Sequence, residues 1–171
     1  MKITKTSIPL VALAFSLFVF AQSVTAQEVE RNRSKAVYVE VFGNGLTYSL
    51  NYDTRFSKSL KGLGGRVGIG YLAMEGDNLT SIPIIVNYLF GKDKHYFEVG
   101  AGTTFLAASS PTQFGTIDTR EKGSAFIGTM SFGYRLEPQN GGFMFRAGIT
   151  PLFDGTSFFP FWPQVSFGYS F

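Results

Sequence analysis

Residues 163–171, the last nine of the chain, read PQVSFGYSF and alternate between apolar and small or polar side chains. In a β-strand this period of two places every aromatic side chain on one face and none on the other. Chain termini are usually polar and loosely held, so an apolar terminal strand is unusual for a soluble domain. A strand that meets lipid on one face and a polar interior on the other requires this pattern. The stretch therefore predicts a strand of a transmembrane β-barrel.

The first 26 residues have the layout of a secretory signal peptide. Two lysines precede the apolar run Ile8–Phe20, and Val-Thr-Ala at 24–26 provides a cleavage site after Ala26. An apolar run of about 13 residues is too short for a spanning helix, which needs roughly 20. The next segment, 27–34, is charged and unpatterned, so we expect a short periplasmic lead-in. The remaining residues, 35–171, are long enough for one domain.

Composition excludes several classes of function. The chain has no cysteine, which excludes a lipid-anchored lipoprotein and any thiol chemistry. The chain has 15 basic and 12 acidic residues, and the signal peptide contains two of the lysines and no acid. The mature protein is therefore nearly neutral, and nothing favours nucleic acid as a partner.

Alternation broken by turn residues recurs along the rest of the chain, without a helical period. Lipid offers the backbone no hydrogen-bond partner, so a sheet that crosses it must close on itself. Strands of about 10 residues, even in number, suit a small bacterial barrel. We predict an all-β fold, an eight-stranded antiparallel up-and-down transmembrane β-barrel after a cleaved signal peptide. The predicted strands are Ala36–Phe42, Leu46–Phe56, Leu63–Met74, Ser81–Phe90, His95–Ala108, Ser124–Leu136, Gly142–Phe153 and residues 163–171.

The connections predict two different ends for this barrel. With both termini in the periplasm, the short links 91–94 and 137–141 are periplasmic and the longest, Ser109–Gly123, is an extracellular loop. Two links fit less well. The first outer turn, 43–45, has only three residues, and the periplasmic link 57–62 is longer than usual.

Charged residues fall on the inward row of the predicted strands. An eight-stranded barrel is just wide enough for its side chains to fill it. We therefore interpret these residues as a lumen charge network that plugs the barrel, with a gated or narrow polar channel as the alternative. Which acid meets which base depends on strand shear and stays open. The set contains three acids and four bases: Glu40, Asp53, Arg55, Arg66, Glu98, Arg135 and Arg146.

Glycines also lie on the inward row, and two interpretations apply to them. They leave space for large neighbours such as Tyr38 and Tyr96, or they line a cavity for a small or apolar ligand. The first interpretation is favoured. The glycines are Gly68, Gly70, Gly100, Gly102, Gly133 and Gly148.

An aromatic run precedes the last strand and predicts a barrel rim at the outer membrane–water boundary, where aromatic girdles lie. The alternative is an exposed loop that contacts a partner or a hydrophobic ligand. The two prolines in this run limit backbone hydrogen bonding, which favours a rim or loop over a central strand. The rim residues are Phe158, Phe159, Phe161 and Trp162.

Catalytic and cofactor signals are missing from the sequence. The only histidine, His95, follows a predicted periplasmic turn, away from the outer leaflet on which a lipid hydrolase would act. No serine lies in a G-x-S-x-G motif, and no metal cluster, phosphate-binding loop or dinucleotide motif occurs. We therefore predict a non-enzymatic protein without catalytic residues, cofactor or metal.

The mature chain resembles the small eight-stranded outer-membrane barrels of the OmpA membrane-domain, OmpX and OmpW types. The segments NGLTYSLNY at 44–52 and IIVNYLFG at 84–91 also resemble a group of uncharacterised Bacteroidetes outer-membrane proteins. Phe167, Tyr169 and the terminal Phe171 resemble the C-terminal sorting signal of such barrels. The resemblance implies the outer membrane of a Gram-negative bacterium, with lipid and the barrel-assembly machinery as partners and a monomer as the expected state.

Three functions follow from these patterns. The first is a non-enzymatic outer-membrane barrel with a side-chain-filled lumen, acting in envelope structure or surface interaction. The second is a narrow channel or a binder for small or apolar compounds. The third is a soluble periplasmic barrel of lipocalin type, because either kind of barrel gives a period of two. That third arrangement would force the aromatic rows inside a narrow barrel and overfill it.

Overall fold

The computed structural model describes residues 33–74, 77–114 and 117–171, and the side chains of all of these except 111–114 and 117–121. The predicted signal peptide and most of the lead-in lie outside the described residues. Within them no helix is both long and apolar enough to cross a membrane. A three-residue 3₁₀ turn, Gly43–Gly45, accompanies ten strands. The strands are β1 Lys35–Phe42, β2 Tyr48–Arg55, β3 Gly62–Met74, β4 Asp77–Lys92, β5 His95–Phe114, β6 Ile117–Leu136, β7 Gly142–Ile149, β8 Leu152–Phe153, β9 Phe158–Phe159 and β10 Pro163–Ser170.

Eight of these strands form a closed antiparallel barrel. Each of β1 to β6 pairs with the next strand along the chain, and β10 pairs with both β7 and β1. The closing ladder runs from Ala36↔Ser170 to Phe42↔Gln164. Closure gives every barrel strand two neighbours and removes the open sheet edges. The predicted eight-stranded up-and-down barrel is thus confirmed. We call the end that holds Lys35 and Phe171 the terminal end, and the opposite end the distal end.

The predicted long loop Ser109–Gly123 is wrong. Strands β5 and β6 continue through this segment as a paired hairpin, with a ladder from Ser109↔Lys122 to Phe114↔Ile117. Serine, proline and glycine in this segment indicated a loop, but a neighbouring strand supplies a backbone partner along most of its length. Strand β4 likewise begins at Asp77 rather than Ser81. Strands β3 to β6 therefore extend beyond the rest of the barrel at the distal end.

The predicted seventh strand, Gly142–Phe153, is interrupted. Strand β7 ends at Ile149, and after Thr150 and Pro151 the short strand β8 pairs with β6. Proline lacks a backbone N–H and restricts the residue before it, which accounts for a break at this position. Strand β9 then pairs with β8. The two short strands form a small hairpin that pairs with β6 at Gly128 and Thr129.

The two faces of the barrel wall differ sharply in polarity. Outward side chains are apolar and exposed, for example Leu50 at 53%, Ile69 at 57% and Phe97 at 52%. Inward side chains are mostly polar or charged and almost fully buried. A lipocalin-like barrel would have the opposite arrangement, with apolar residues inside and polar residues outside. The wall therefore presents its hydrophobic surface to the surroundings.

Two inward glycines allow a close approach of neighbouring strands. Gly133 on β6 lies opposite Gly148 on β7. A Cβ atom at Gly133 would lie 2.5 Å from the carbonyl oxygen of Ala147 and 3.0 Å from the Cα of Gly148. The neighbouring backbone could not accept such contacts without shifting. Here glycine is required by the backbone itself, rather than only by large side chains nearby.

Candidate functional site

The lumen contains the most extensive cluster of charged side chains in the described residues. Each of the seven charged residues assigned to the inward row has its side chain buried inside the barrel, at most 2% exposed. Six strands contribute them, so the cluster connects most of the wall. The residues are Glu40, Asp53, Arg55, Arg66, Glu98, Arg135 and Arg146.

Arg146 joins two acids in the distal part of this cluster. Its Nη1 atom lies 3.1 Å from Oε2 of Glu40, and its Nε and Nη2 atoms lie 2.9 and 2.7 Å from the two carboxylate oxygens of Glu98. Arg66 donates to the same Glu40 oxygen at 2.9 Å and to the Tyr38 hydroxyl at 3.0 Å. The Arg146 guanidinium also lies 4.9 Å from the centroid of the Tyr38 ring. A bidentate pair of this kind fixes geometry as well as charge.

Asp53 organises the part of the cluster nearer the terminal end. Its Oδ1 atom accepts from Arg55 at 2.5 Å and from Arg135 at 3.2 Å. Asn87 donates to the other carboxylate oxygen at 2.7 Å and accepts from Arg55 at 2.7 Å. Arg135 also lies 3.3 Å from Glu98, which links this part to the distal part. The ion pairs therefore form one connected network.

Strand register explains why Glu98 is central to the network. Arg135 and Arg146 are direct neighbours across β6 and β7. Like charges in such a pair repel each other. Glu98 lies opposite Gly133 on β6, where no side chain occupies the inner face, and its carboxylate contacts both arginines. Glu98 thus compensates two positive charges that the register brings together.

Sequence reasoning missed one member of the network, Glu137. Its carboxylate lies 2.7 Å from Nε of Arg135, and the Ser34 hydroxyl also donates to it. Glu137 belongs to the predicted periplasmic link 137–141, but it follows Arg135 by two residues and therefore continues the same inward row. With it the network contains four acids and four arginines, so its formal charge balances.

The turn between β1 and β2 folds into the lumen instead of projecting outward. Gly43, Asn44 and Gly45 are all buried, and the turn lies against strands on most sides of the barrel. The predicted three-residue outer turn is therefore present, but it lies inside the lumen. Phe42 and Leu46, on either side of it, have φ values of 60° and 70°. Positive φ costs a residue with a Cβ atom about 1–2 kcal/mol, so this conformation needs compensating contacts.

Asn44 supplies those contacts. Its side-chain oxygen accepts from Arg66, and its side-chain amide donates to Thr129 at 2.8 Å. Its backbone N–H donates to Glu40 at 3.0 Å, and its carbonyl accepts from Thr104 at 2.7 Å. The turn is thereby attached to the charge network on one side and to β5 and β6 on the other. We call residues 43–45 the lumen turn.

A recess lies on the inner face of the extended strands at the distal end. Leu72, Met74, Leu79 and Ala108 provide its apolar lining, and Asp77 and Ser110 add polar groups. Its volume is about 440 Å³. The recess is open to solvent and is formed by the parts of β3, β4 and β5 that extend past the lumen turn.

The aromatic run divides into exposed and half-buried residues. Phe158, Phe159 and Phe161 are 60–80% exposed. Trp162 is half-buried and packs edge-on against Phe42, with ring centroids 5.8 Å apart. Phe167, Tyr169 and Phe171 of the expected sorting signal all have about half of their surface exposed, on the outside of the barrel.

Other polar groups in the described residues offer little chemistry. Nδ1 of His95 lies 2.6 Å from the Tyr134 hydroxyl, and both residues are exposed near the terminal end. The N–H groups of Ser157 and Thr156 donate to the Asp154 carboxylate in the β8–β9 turn and hold the pKa of Asp154 below its ordinary value. Among the described residues no group of three or more potential ligands could hold a metal ion.

Comparison with known proteins identifies the fold. No family model matches the sequence, and no curated protein matches it. The structure is similar to the N-terminal β-barrel domain of Pseudomonas aeruginosa OprF, known from a crystal structure, with a TM-score of 0.54 and 10% sequence identity. The similarity covers 82% of this chain and 98% of that chain. At this identity the likeness concerns the eight-stranded barrel fold, and the expected resemblance to barrels of the OmpA type is confirmed at that level.

Proposed function

We propose that this protein is an integral outer-membrane barrel of a Gram-negative bacterium, without enzymatic activity, that acts in envelope structure or surface interaction. One observation carries the proposal. The wall is apolar and exposed outside, while its interior is filled by a balanced network of ion pairs. Water would not stabilise such an exterior, whereas lipid would. Side chains of this network, rather than solvent, therefore fill the lumen.

The orientation belongs to the same proposal. Both ends of the barrel segment lie at the terminal end, which we assign to the periplasm, and the extended strands β3 to β6 then face the cell exterior. Longer extracellular connections are typical of this class. The barrel-assembly machinery would insert the chain through the sorting signal that ends in Phe171, and we expect a monomer.

Gel mobility and one lipid-facing substitution test this proposal. Outer-membrane fractions should contain a protein that migrates differently when boiled and unboiled, because the closed barrel resists detergent until heated. The substitution Val86→Arg places a charge on the outer row in mid-strand, where it costs about 2–4 kcal/mol in lipid, and should abolish the heat-dependent band.

The matched control is Asn78→Arg, on the same outer row of β4 but near the distal end of the strand. Its arginine reaches water, so the heat-dependent band should remain. A soluble periplasmic protein with no mobility shift, or equal behaviour of the two variants, would contradict the membrane assignment.

The distal recess favours a second candidate function, binding of small apolar compounds at the extracellular end. The test is fluorescence of N-phenylnaphthylamine with the barrel in nanodiscs, corrected for empty nanodiscs. Leu79→Glu should abolish the added fluorescence, because a carboxylate would enter the apolar lining. Thr80→Glu lies on the opposite face of β4 and should leave it unchanged. Equal fluorescence of the two variants would exclude this function.

A further inference from the structure

The lysines of the described residues are distributed unevenly between the two ends of the barrel. Five of the six lie at the terminal end. Two acids lie at this end, of which Asp93 is exposed and Glu137 is buried. The sixth, Lys122, lies on the distal part of β6, and the exposed acids Asp77 and Asp154 lie near the same end of the barrel. The terminal end is therefore basic. Its lysines are Lys35, Lys58, Lys61, Lys92 and Lys94.

Lys92 continues a lipid-facing row of the wall, and Lys58 and Lys61 lie in the link 57–61 beside the ends of two such rows. Lys92 follows the exposed Phe90 by two residues on β4, and Lys58 follows the exposed Phe56 by two residues. Lys61 precedes the exposed Leu63 by two residues in the same way. Two residues in a strand span about 6.7 Å, or about 5 Å along the axis of a barrel with tilted strands. The lysines therefore begin where the apolar belt ends.

This position coincides with the headgroup layer of a bilayer. Headgroups occupy about 5–8 Å on each side of the hydrocarbon core. A lysine buries its alkyl chain along apolar surface and extends its ammonium group to this depth. In the part of the chain that the structure describes, no ion pair involves Lys58, Lys61, Lys92 or Lys94. Their charges are thus available to a ligand.

A depression of about 480 Å³ lies among the links of the terminal end. Lys61 and Lys92 line it together with Asp93, Gln139 and Ser59. The two ammonium groups suit a phosphodiester, and the neighbouring carboxylate and amide oxygens suit the hydroxyl groups of a glycerol headgroup. A zwitterionic headgroup would bring a second cation towards the same lysines and would be disfavoured.

We propose that Lys58, Lys61, Lys92 and Lys94 bind the anionic headgroups of phosphatidylglycerol in the leaflet next to the terminal end. The inference rests on the proposed membrane location of the barrel. Each basic residue near an anionic membrane surface strengthens binding about fivefold, so four of them give a clear preference over phosphatidylcholine. Because the lysines are exposed, this preference should fall as the salt concentration rises.

Native mass spectrometry of the detergent-solubilised barrel, with equimolar phosphatidylglycerol and phosphatidylcholine, tests the proposal. The wild type should retain phosphatidylglycerol in preference, and K58Q/K61Q/K92Q/K94Q should lower that preference at least about tenfold. The matched control is K122Q, which removes the distal lysine and should leave the preference unchanged. Soluble glycerol phosphate at millimolar concentration should not compete, since it cannot use the membrane-facing position of the lysines.

Equal retention of the two lipids by the wild type would overturn the proposal, and so would an unchanged preference in the quadruple variant. Competition by glycerol phosphate would indicate a site for a free phosphate instead of a lipid surface. The heat-dependent gel shift is recorded for every sample. A barrel that shifts but shows no lipid preference contradicts only this inference, whereas the absence of a shift in the wild type contradicts the membrane assignment itself.

Discussion

Replacing Glu98 by glutamine is expected to lower the free energy of unfolding by about 3–5 kcal/mol, because it leaves buried charges without a partner. Glu98 contacts Arg135 at 3.3 Å and Arg146 at 2.7 Å, and these two arginines face each other across β6 and β7. Glutamine has nearly the same shape, so the loss reports the charge and not a cavity. Urea unfolding of the barrel in detergent micelles, followed by tryptophan fluorescence and gel mobility, measures the effect.

Two further variants test whether this loss of stability comes from the buried charge. Glu98→Gln/Arg146→Gln removes one acid and one base, so the lumen stays neutral, and its effect should be smaller than the sum of the two single substitutions. Asp77→Asn removes an exposed carboxylate and should change stability by no more than about 0.5 kcal/mol. A loss below about 1 kcal/mol for Glu98→Gln would show that water reaches the network and compensates the arginines.

The composition of the lumen could be predicted because alternation alone decides which side of the wall a residue faces. Glu40, Arg66 and Arg146 lie in different strands, yet the residues directly before and after each of them are apolar or glycine. In a strand that pattern leaves only one face for the charge. The same argument applies to Glu137, although the proline that follows it favours a link over a strand at this position.

Pairing within the network could not be predicted, because it depends on register. Asp53 and Arg66 lie directly opposite each other on β2 and β3, and a cross-strand argument would pair them. In the structure Arg66 pairs with Glu40 and Asp53 pairs with Arg55 and Arg135. Long arginine side chains reach past their nearest neighbours in a narrow barrel. Shear, which a single sequence does not reveal, decides which acid they meet.

The lumen turn was unpredictable for a different reason. Gly-Asn-Gly between two alternating segments indicates a tight hairpin, and a hairpin at a barrel end is ordinarily exposed. Its inward fold depends on Asn44 finding partners on other strands, Arg66, Thr104 and Thr129, far away in the sequence. No local signal encodes contacts of this kind. The positive φ values of Phe42 and Leu46 are the backbone conformation that these long-range contacts require.

The lumen is filled at two depths. Nearer the distal end, Glu40 and Arg66 lie beside the lumen turn, which their side chains hold in place. Nearer the terminal end, Asp53 and Arg55 form a second pair with Asn87. Glu98 connects the two depths through its arginines. Either level by itself should block a narrow barrel, since eight strands enclose little more than their own side chains.

Conductance across planar bilayers is therefore expected only when the charged side chains are removed at both depths, which we call the distal level and the terminal level. Glu40→Ser/Arg66→Ser removes an acid and a base at the distal level and also two anchors of the lumen turn. Asp53→Ser/Arg55→Ser removes an acid and a base at the terminal level. Each double variant keeps the lumen neutral, so neither leaves a net buried charge. We expect no stable current steps from the wild type or from either double variant, and small but resolved steps from the quadruple variant.

The design separates a plugged barrel from a gated pore. The gel shift of each variant shows whether its barrel has formed, so a silent and unfolded variant is not counted as sealed. Steps from the wild type would contradict a filled lumen and favour the narrow-channel alternative. Steps from one double variant alone would place the seal at that level and assign the other pair to stability. A folded quadruple variant without steps would mean that Arg135, Arg146 and their acids close the lumen by themselves, which would contradict the two-level seal.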